Sequence, residues 1–125
     1  MITLPTFIQN WKNAIENGKS PSEISGGCYH DNAILKGTVW SEAVQGTKRI
    51  EDYFVHFTGG KNNANVTFTS ITESPSGSFA GEYIFNWTDD NGQVQSADAN
   101  YTFEPTQDGT LISLHHSSFF VEKAT

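Results

Sequence analysis

Sulfur is scarce in this chain, which holds one cysteine, Cys28, and one methionine. A single thiol excludes a disulfide within the chain and any zinc site built on cysteines. Basic residues are also few, seven Lys and Arg against fourteen Asp and Glu, for a net charge of −7. No Lys/Arg cluster occurs, so nothing could neutralise a phosphate backbone, and nucleic acid is excluded as a partner. The same acidity opposes docking on anionic membranes, and no apolar run approaches the roughly 20 residues of a spanning helix. The basic-then-apolar pattern of a signal peptide is missing as well, because Pro5 and Asn10 interrupt the opening residues. The compartment stays open at this point, a soluble protein of the cytoplasm or, where a transit segment has been removed, of a plastid. Three Asn-x-Thr triplets, from Asn65, Asn86 and Asn100, lie in strand-like segments and read as chance matches to a glycosylation acceptor.

Aromatic rings, by contrast, are plentiful. They make up 13% of the 125 residues, nine of them Phe, so rings must build much of the core of one domain spanning residues 1–125. Apolar residues at Leu4, Phe7, Ile8, Trp11, Ala14 and Ile15 keep helical spacing, with Thr3 as the expected cap and Gly18 as the stop. Ser20-Pro21-Ser22-Glu23 is a capping box that opens a short second helix, ended by Gly26-Gly27. Ala33 to Val39 reads as a strand. A third helix from Thr47 puts Ile50, Tyr53, Phe54 and Phe57 on one face and stops at Gly59-Gly60.

From there the period changes to two. Asn65–Glu73, Ser78–Thr88, Gln93–Phe103 and Thr110–Val121 are predicted strands, separated by turn signals. The strongest signal is Asn91-Gly92, which fits a type I′ turn with φ > 0 at both positions. Helices segregated from an antiparallel sheet define the α+β class. A twisted antiparallel sheet wrapped around the packed N-terminal helices would form a cone with one pocket.

The last strand carries the candidate chemistry. His115 and Ser117 share one side and His116 and Ser118 the other, so either face offers an imidazole and a hydroxyl. Such a pair can act as a general base or acid beside a hydrogen-bond donor. Tyr53, on the apolar face of the third helix, and Thr38, after Gly37, could reach the same mouth. Asn100 would line the cavity if the polar face of its strand turned inward. Three convergent metal ligands cannot be assembled: His115 and His116 point apart, and His56 has Gly60 at i+4. No metal and no cofactor are expected.

The run Gly109-Thr110-Leu111-Ile112-Ser113-Leu114-His115-His116-Ser117-Ser118 resembles the closing strand of iota-class carbonic anhydrases. Further matches follow over about residues 7 to 120: Gly37-Thr38-Val39 with Ser41, Ile50-x-x-Tyr53-Phe54-x-x-Phe57, Gly81-x-Tyr83-x-Phe85, Asp89-x-x-Gly92 and Tyr101-Thr102-Phe103. The wider family is the association domain of calcium/calmodulin-dependent protein kinase II. The resemblance implies a nuclear-transport-factor-2-like cone and metal-free hydration of CO2 to bicarbonate. It implies His115, Tyr53, Ser117 and Thr38 as catalytic residues, with Tyr83, Asn100 and His116 on the substrate. It favours His115 and Ser117 as the inward pair, and it implies a homodimer or larger homo-oligomer. Two departures from the family pattern are Trp40, between Val39 and Ser41, and Phe119-Phe120 after the closing motif. The alternative is a non-enzymatic ligand-binding or oligomerisation domain of the same fold. A hydro-lyase or isomerase on this cone is a third reading, with Asp98 as the only acid that could serve it.

Overall fold

The structure is a computed structural model that describes residues 2–38 and 40–119. Its elements run α1 (Thr6–Glu16), α2 (Pro21–Cys28), β1 (Tyr29–Lys36), β2 (Val44–Gln45), α3 (Thr47–Thr58), β3 (Asn62–Glu73), β4 (Phe79–Thr88), β5 (Val94–Pro105) and β6 (Ile112–Phe119). The first strand starts earlier than its apolar run suggests, directly from the end of α2. The expected last-strand residues Phe120 and Val121, like Val39, lie outside the described residues.

One six-stranded sheet has the order β2-β1-β6-β5-β4-β3. Neighbours are antiparallel except β1 and β6, which run parallel, so the sheet is mixed rather than wholly antiparallel. The reason is topological. After β1 the chain leaves through α3, builds the meander β3–β6, and returns its last strand into the gap beside β1.

The helices cover one face of this sheet. Phe7, Ile8, Trp11, Ala14 and Ile15 of α1 are buried, as their helical spacing requires. Phe7 packs on Phe79 and Phe103, and Trp11 on Phe68, Tyr83, Phe103 and His115. Pro5, not Thr3, is the N-cap of α1, and no side chain caps that helix. The α2 capping box forms as expected: Ser20 Oγ accepts the Glu23 N–H and the Glu23 carboxylate accepts the Ser20 N–H. The buried Ser25 hydroxyl ties α2 to the start of α3 by donating to the Thr47 carbonyl at 2.6 Å. Glu16 closes α1 onto the sheet by accepting the Val66 N–H at 2.9 Å.

The turn at Asp89–Gly92 is not type I′. Gly92 has φ 82°, whereas among described non-glycine residues only Asn63 has positive φ. The Asp89 carboxylate instead accepts the N–H groups of Asn91 and Gln93, an arrangement that asks for left-handed backbone only at the glycine.

Bulges decide which side chains enter the core. In β5 against β6, Glu104 faces Leu114 while Pro105 faces Ile112, so Ser113 is an extra residue. Its hydroxyl donates to the Glu104 and Pro105 carbonyls. Ile112 is buried; uninterrupted alternation from it would bury Leu114, His116 and Ser118. The extra residue reverses the phase, and His115 and Ser117 are buried instead.

Candidate functional site

Among the described residues the only buried polar or charged side chains are Ser25, His115 and Ser117. The last two stand together on the inner face of β6. His115 Nε2 lies 2.6 Å from Ser117 Oγ, and its Nδ1 lies 2.6 Å from the phenol oxygen of Tyr29 at the start of β1. Tyr83, from β4, donates its hydroxyl to Ser117 Oγ at 3.3 Å. The result is a continuous chain, Tyr29–His115–Ser117–Tyr83, drawn from three strands. Aromatic rings enclose it: Phe103 stacks on the imidazole with centroids 4.2 Å apart, and Trp11 meets it edge-on at 5.4 Å.

Tyr53 and Thr38 form a second polar pair. The Tyr53 oxygen accepts the Thr38 N–H at 2.8 Å, with the Thr38 hydroxyl 3.4 Å away. This approach depends on Gly37, because a Cβ there would sit 2.0 Å from the Tyr53 oxygen. The phenol ring is held between Phe54, Phe57 and Trp40, the last edge-on at 5.7 Å. Trp40 thus covers Tyr53 from the loop side. The two polar groups are neighbours in the core, and Tyr53 is among the groups that add to the raised pKa of both Tyr29 and Tyr83.

Burial keeps this interior neutral. Desolvation lowers the His115 pKa to about 3, with a smaller contribution from the His116 charge. The unperturbed imidazole pKa near neutrality, on which a general-base role rests, is therefore not the value in the fold. Desolvation likewise raises Tyr29 and Tyr83 well above the ordinary phenol range. At neutral pH every member of the chain is uncharged. It can share protons and offer hydrogen bonds without holding a formal charge.

The structure thus brings His115, Ser117 and Tyr83 into one contact group, with Tyr53 and Thr38 beside it. Asn100 and His116 are not among them. Both are exposed on the outer face of the sheet, because Ala99 and Tyr101 flank Asn100 with inward side chains and the Ser113 bulge turns His116 outward. Asp98 is exposed on the same outer face. Tyr29 and Trp11 were missed. Tyr29 precedes the apolar run that marks its strand, and Trp11 reads as ordinary helix core. The buried indole N–H of Trp11 makes no hydrogen bond with the described residues. It lies close enough to the Tyr29 oxygen to favour the ionised phenol, short of hydrogen-bond geometry.

Surface clefts lie elsewhere. One of about 520 Å³ opens between the α1–α2 turn and the start of β3, beside Lys61, one of about 580 Å³ lies by His30 and Asp108, one of about 430 Å³ by Trp40 and Arg49, and one of about 290 Å³ by Leu4 and Lys12. None of these is lined by His115, Ser117, Tyr29 or Tyr83. Among the described residues no group of three or more His, Cys, Asp and Glu is arranged to hold a metal ion, and no helix is long and apolar enough to cross a membrane.

No family model and no curated protein matches the chain. Solved structures do. A Xanthomonas campestris protein named as a calcium/calmodulin-dependent protein kinase II association domain superposes with a TM-score of 0.77 at 28% identity, covering 94% of this chain and 86% of its own. The Mycobacterium tuberculosis protein RV0760c, in complex with estradiol-17β-hemisuccinate, gives 0.72 at 14% identity, covering 96% and 95%. A Jannaschia protein named as a SnoaL-like polyketide cyclase gives 0.71 at 10%, covering 95% and 90%. The chain therefore has the nuclear-transport-factor-2-like α+β fold, shared with proteins named as association domains and as enzymes.

Proposed function

We propose that the interior of the cone is a small-molecule binding site whose polar wall is the Tyr29–His115–Ser117–Tyr83 chain. The observation that carries this reading is the placement of an imidazole and three hydroxyls inside an otherwise apolar core. Stability alone does not call for them, since buried polar groups recover only about their own desolvation cost while apolar groups of the same shape gain burial. A few convergent polar groups in an aromatic lining are what a ligand site needs for orientation. The fold also serves ligand binding in a neighbour, RV0760c, whose structure holds a steroid ester.

The test is a thermal-shift screen of small organic compounds against the wild-type chain and Ser117→Ala. Compounds that raise the wild-type melting temperature and leave the variant unmoved are expected. A screen in which every hit acts equally on both proteins overturns the site.

A second reading, hydration of CO2 to bicarbonate, is favoured by the neutral hydroxyl–imidazole chain next to Thr38 and Tyr53. In it the water oxygen bonds to carbon while its proton leaves through the hydroxyl groups. His115 would act as a relay rather than as a free base, because both ring nitrogens are engaged. Stopped-flow CO2 hydration on chelator-treated protein, with total metal measured on the same sample, tests it. Hydration above background that disappears in Tyr53→Phe and His115→Ala is the expected result; a background rate in the wild type removes this reading and leaves the first. Self-association belongs to the same proposal, through likeness to an association domain. Light scattering on the purified chain should give a dimer or larger assembly, and a monomer would exclude it.

A further inference from the structure

One lysine of this acidic chain stands apart from its carboxylates. Among the described residues Lys12 pairs with Glu16 and Lys48 with Asp52, and no carboxylate comes within ion-pair distance of Lys61 Nζ. The position of Lys61 follows from the local sequence. Gly59 and Gly60 end α3, Gly60 with φ 71°, and Lys61 leads into β3. There its Nζ lies 5.4 Å from the centroid of the Phe57 ring and 5.5 Å from that of Trp87. Ring faces attract and orient an ammonium but carry no net counter-charge. Burial also pushes the Lys61 pKa down, because the ammonium has lost part of its water. Lys61 is thus a half-buried cation that has given up solvent without gaining a carboxylate.

Lys61 borders the cleft of about 520 Å³ between the α1–α2 turn and the start of β3. Ile15 and Phe85, both buried, and Ala64 make up its apolar part. The β3–β4 pairing shifts register between Asn62 and Asn65, which lets Asn62, Asn63 and Ala64 line the cleft in succession. Two other charged groups border it, and both are already balanced. Glu16 accepts the Val66 N–H and pairs with Lys12. Lys19 stands near the Glu23 carboxylate, whose pKa is lowered by its Ser20 hydrogen bonds and by this lysine. Asp90 of the β4–β5 turn receives the Asn62 side-chain amide.

An uncompensated cation beside an apolar surface fits a ligand of the opposite make-up. We infer that this cleft is a second binding site, for a small organic carboxylate whose charge meets Lys61 Nζ and whose apolar body lies against Ile15, Ala64 and Phe85. An inorganic oxyanion would leave the apolar part uncovered, and a neutral compound would leave Lys61 without a counter-charge. The site is separate from the cone interior, whose described buried side chains include no Lys or Arg to receive an anion.

The test titrates sodium benzoate, and separately benzamide and sodium phosphate, at constant ionic strength into the ¹⁵N-labelled chain. The backbone amides of Lys61, Asn63 and Ala64 report on the cleft. Benzoate is expected to shift them saturably, and benzamide and phosphate to bind roughly tenfold more weakly. Lys61→Met keeps an apolar stem against the rings and should weaken benzoate about tenfold, the loss of one charge-assisted hydrogen bond. Lys61→Arg should retain it. Benzamide or phosphate binding as tightly as benzoate overturns the inference, as does a folded Lys61→Met with wild-type affinity. The wild-type comparison of benzoate with benzamide decides the matter if Lys61→Met fails to fold. No shift at the three cleft amides with benzoate also overturns the inference. Benzoate shifts confined to Tyr29, Tyr83 and Ser117 overturn it while leaving the interior site standing.

Discussion

At the scale of single residues, the consequential feature is a histidine kept neutral by its surroundings. Burial lowers the His115 pKa from 6.5 to about 3, so the folded state refuses a proton that the unfolded chain accepts. Because the folded value is the lower one, the stability contribution is complete above pH 6.5 and is lost as the pH falls toward 3. Each unit of pH in that window costs about 1.4 kcal/mol. Urea denaturation of the wild type should therefore lose roughly 2 to 3 kcal/mol between pH 6.5 and 4.5, a loss largely absent from His115→Asn. Equal slopes in the two proteins would contradict the burial of the ring.

Gly37 is the second residue-scale test. A methyl group there meets the Tyr53 oxygen at 2.0 Å, so Gly37→Ala should destabilise by about 1 to 3 kcal/mol through overpacking. In a Tyr53→Leu background the clash softens, because the phenol atoms at 2.0, 2.2 and 2.6 Å are gone. A double-mutant cycle by chemical denaturation should show favourable coupling between the two changes, and strict additivity would mean that they do not touch.

At the scale of elements, the sequence carries the helices and the meander legibly and the inward face of β6 poorly. The 3–4 spacing of α1 and α3 survives in their buried faces, and the Ser20 capping box forms because its residues act only on one another. Ser20→Ala should accordingly cost about 1 kcal/mol, measured by thermal unfolding, and no change would mean that the box does not hold α2. Alternation alone left His115 or His116 open as the inward imidazole. The choice is made by Ser113, a bulge residue whose only signature is a hydroxyl that satisfies two carbonyls of the facing strand. Tyr29 was illegible for another reason: it keeps the inward phase of Ala33 and Leu35, but the exposed polar residues His30, Asp31 and Asn32 separate it from the apolar run that marks its strand. Deleting Ser113 should remove the bulge and keep His115 and Ser117 inward, because Ile112, Leu114 and His115 then alternate without an extra residue. We expect the deletion variant to keep the stability loss between pH 6.5 and 4.5 that marks a buried His115. Disappearance of that loss in a folded deletion variant would show that the phase of β6 is set elsewhere.

At the scale of the whole molecule, the sheet and helices form a cone that is aromatic within and acidic without. Solved relatives carry names from association domain to cyclase on this frame, so the frame alone does not choose a chemistry. On that frame this chain carries the interior hydrogen-bonded chain Tyr29–His115–Ser117–Tyr83. The surface clefts near Lys61 and Trp40 are the competing places for a ligand. A crystal structure of the chain soaked with the strongest thermal-shift hit separates them directly. The account requires the compound inside the cone, within hydrogen-bond distance of a member of the Tyr29–His115–Ser117–Tyr83 chain. A compound bound only in a surface cleft, with the interior rings closed and unchanged, would contradict it.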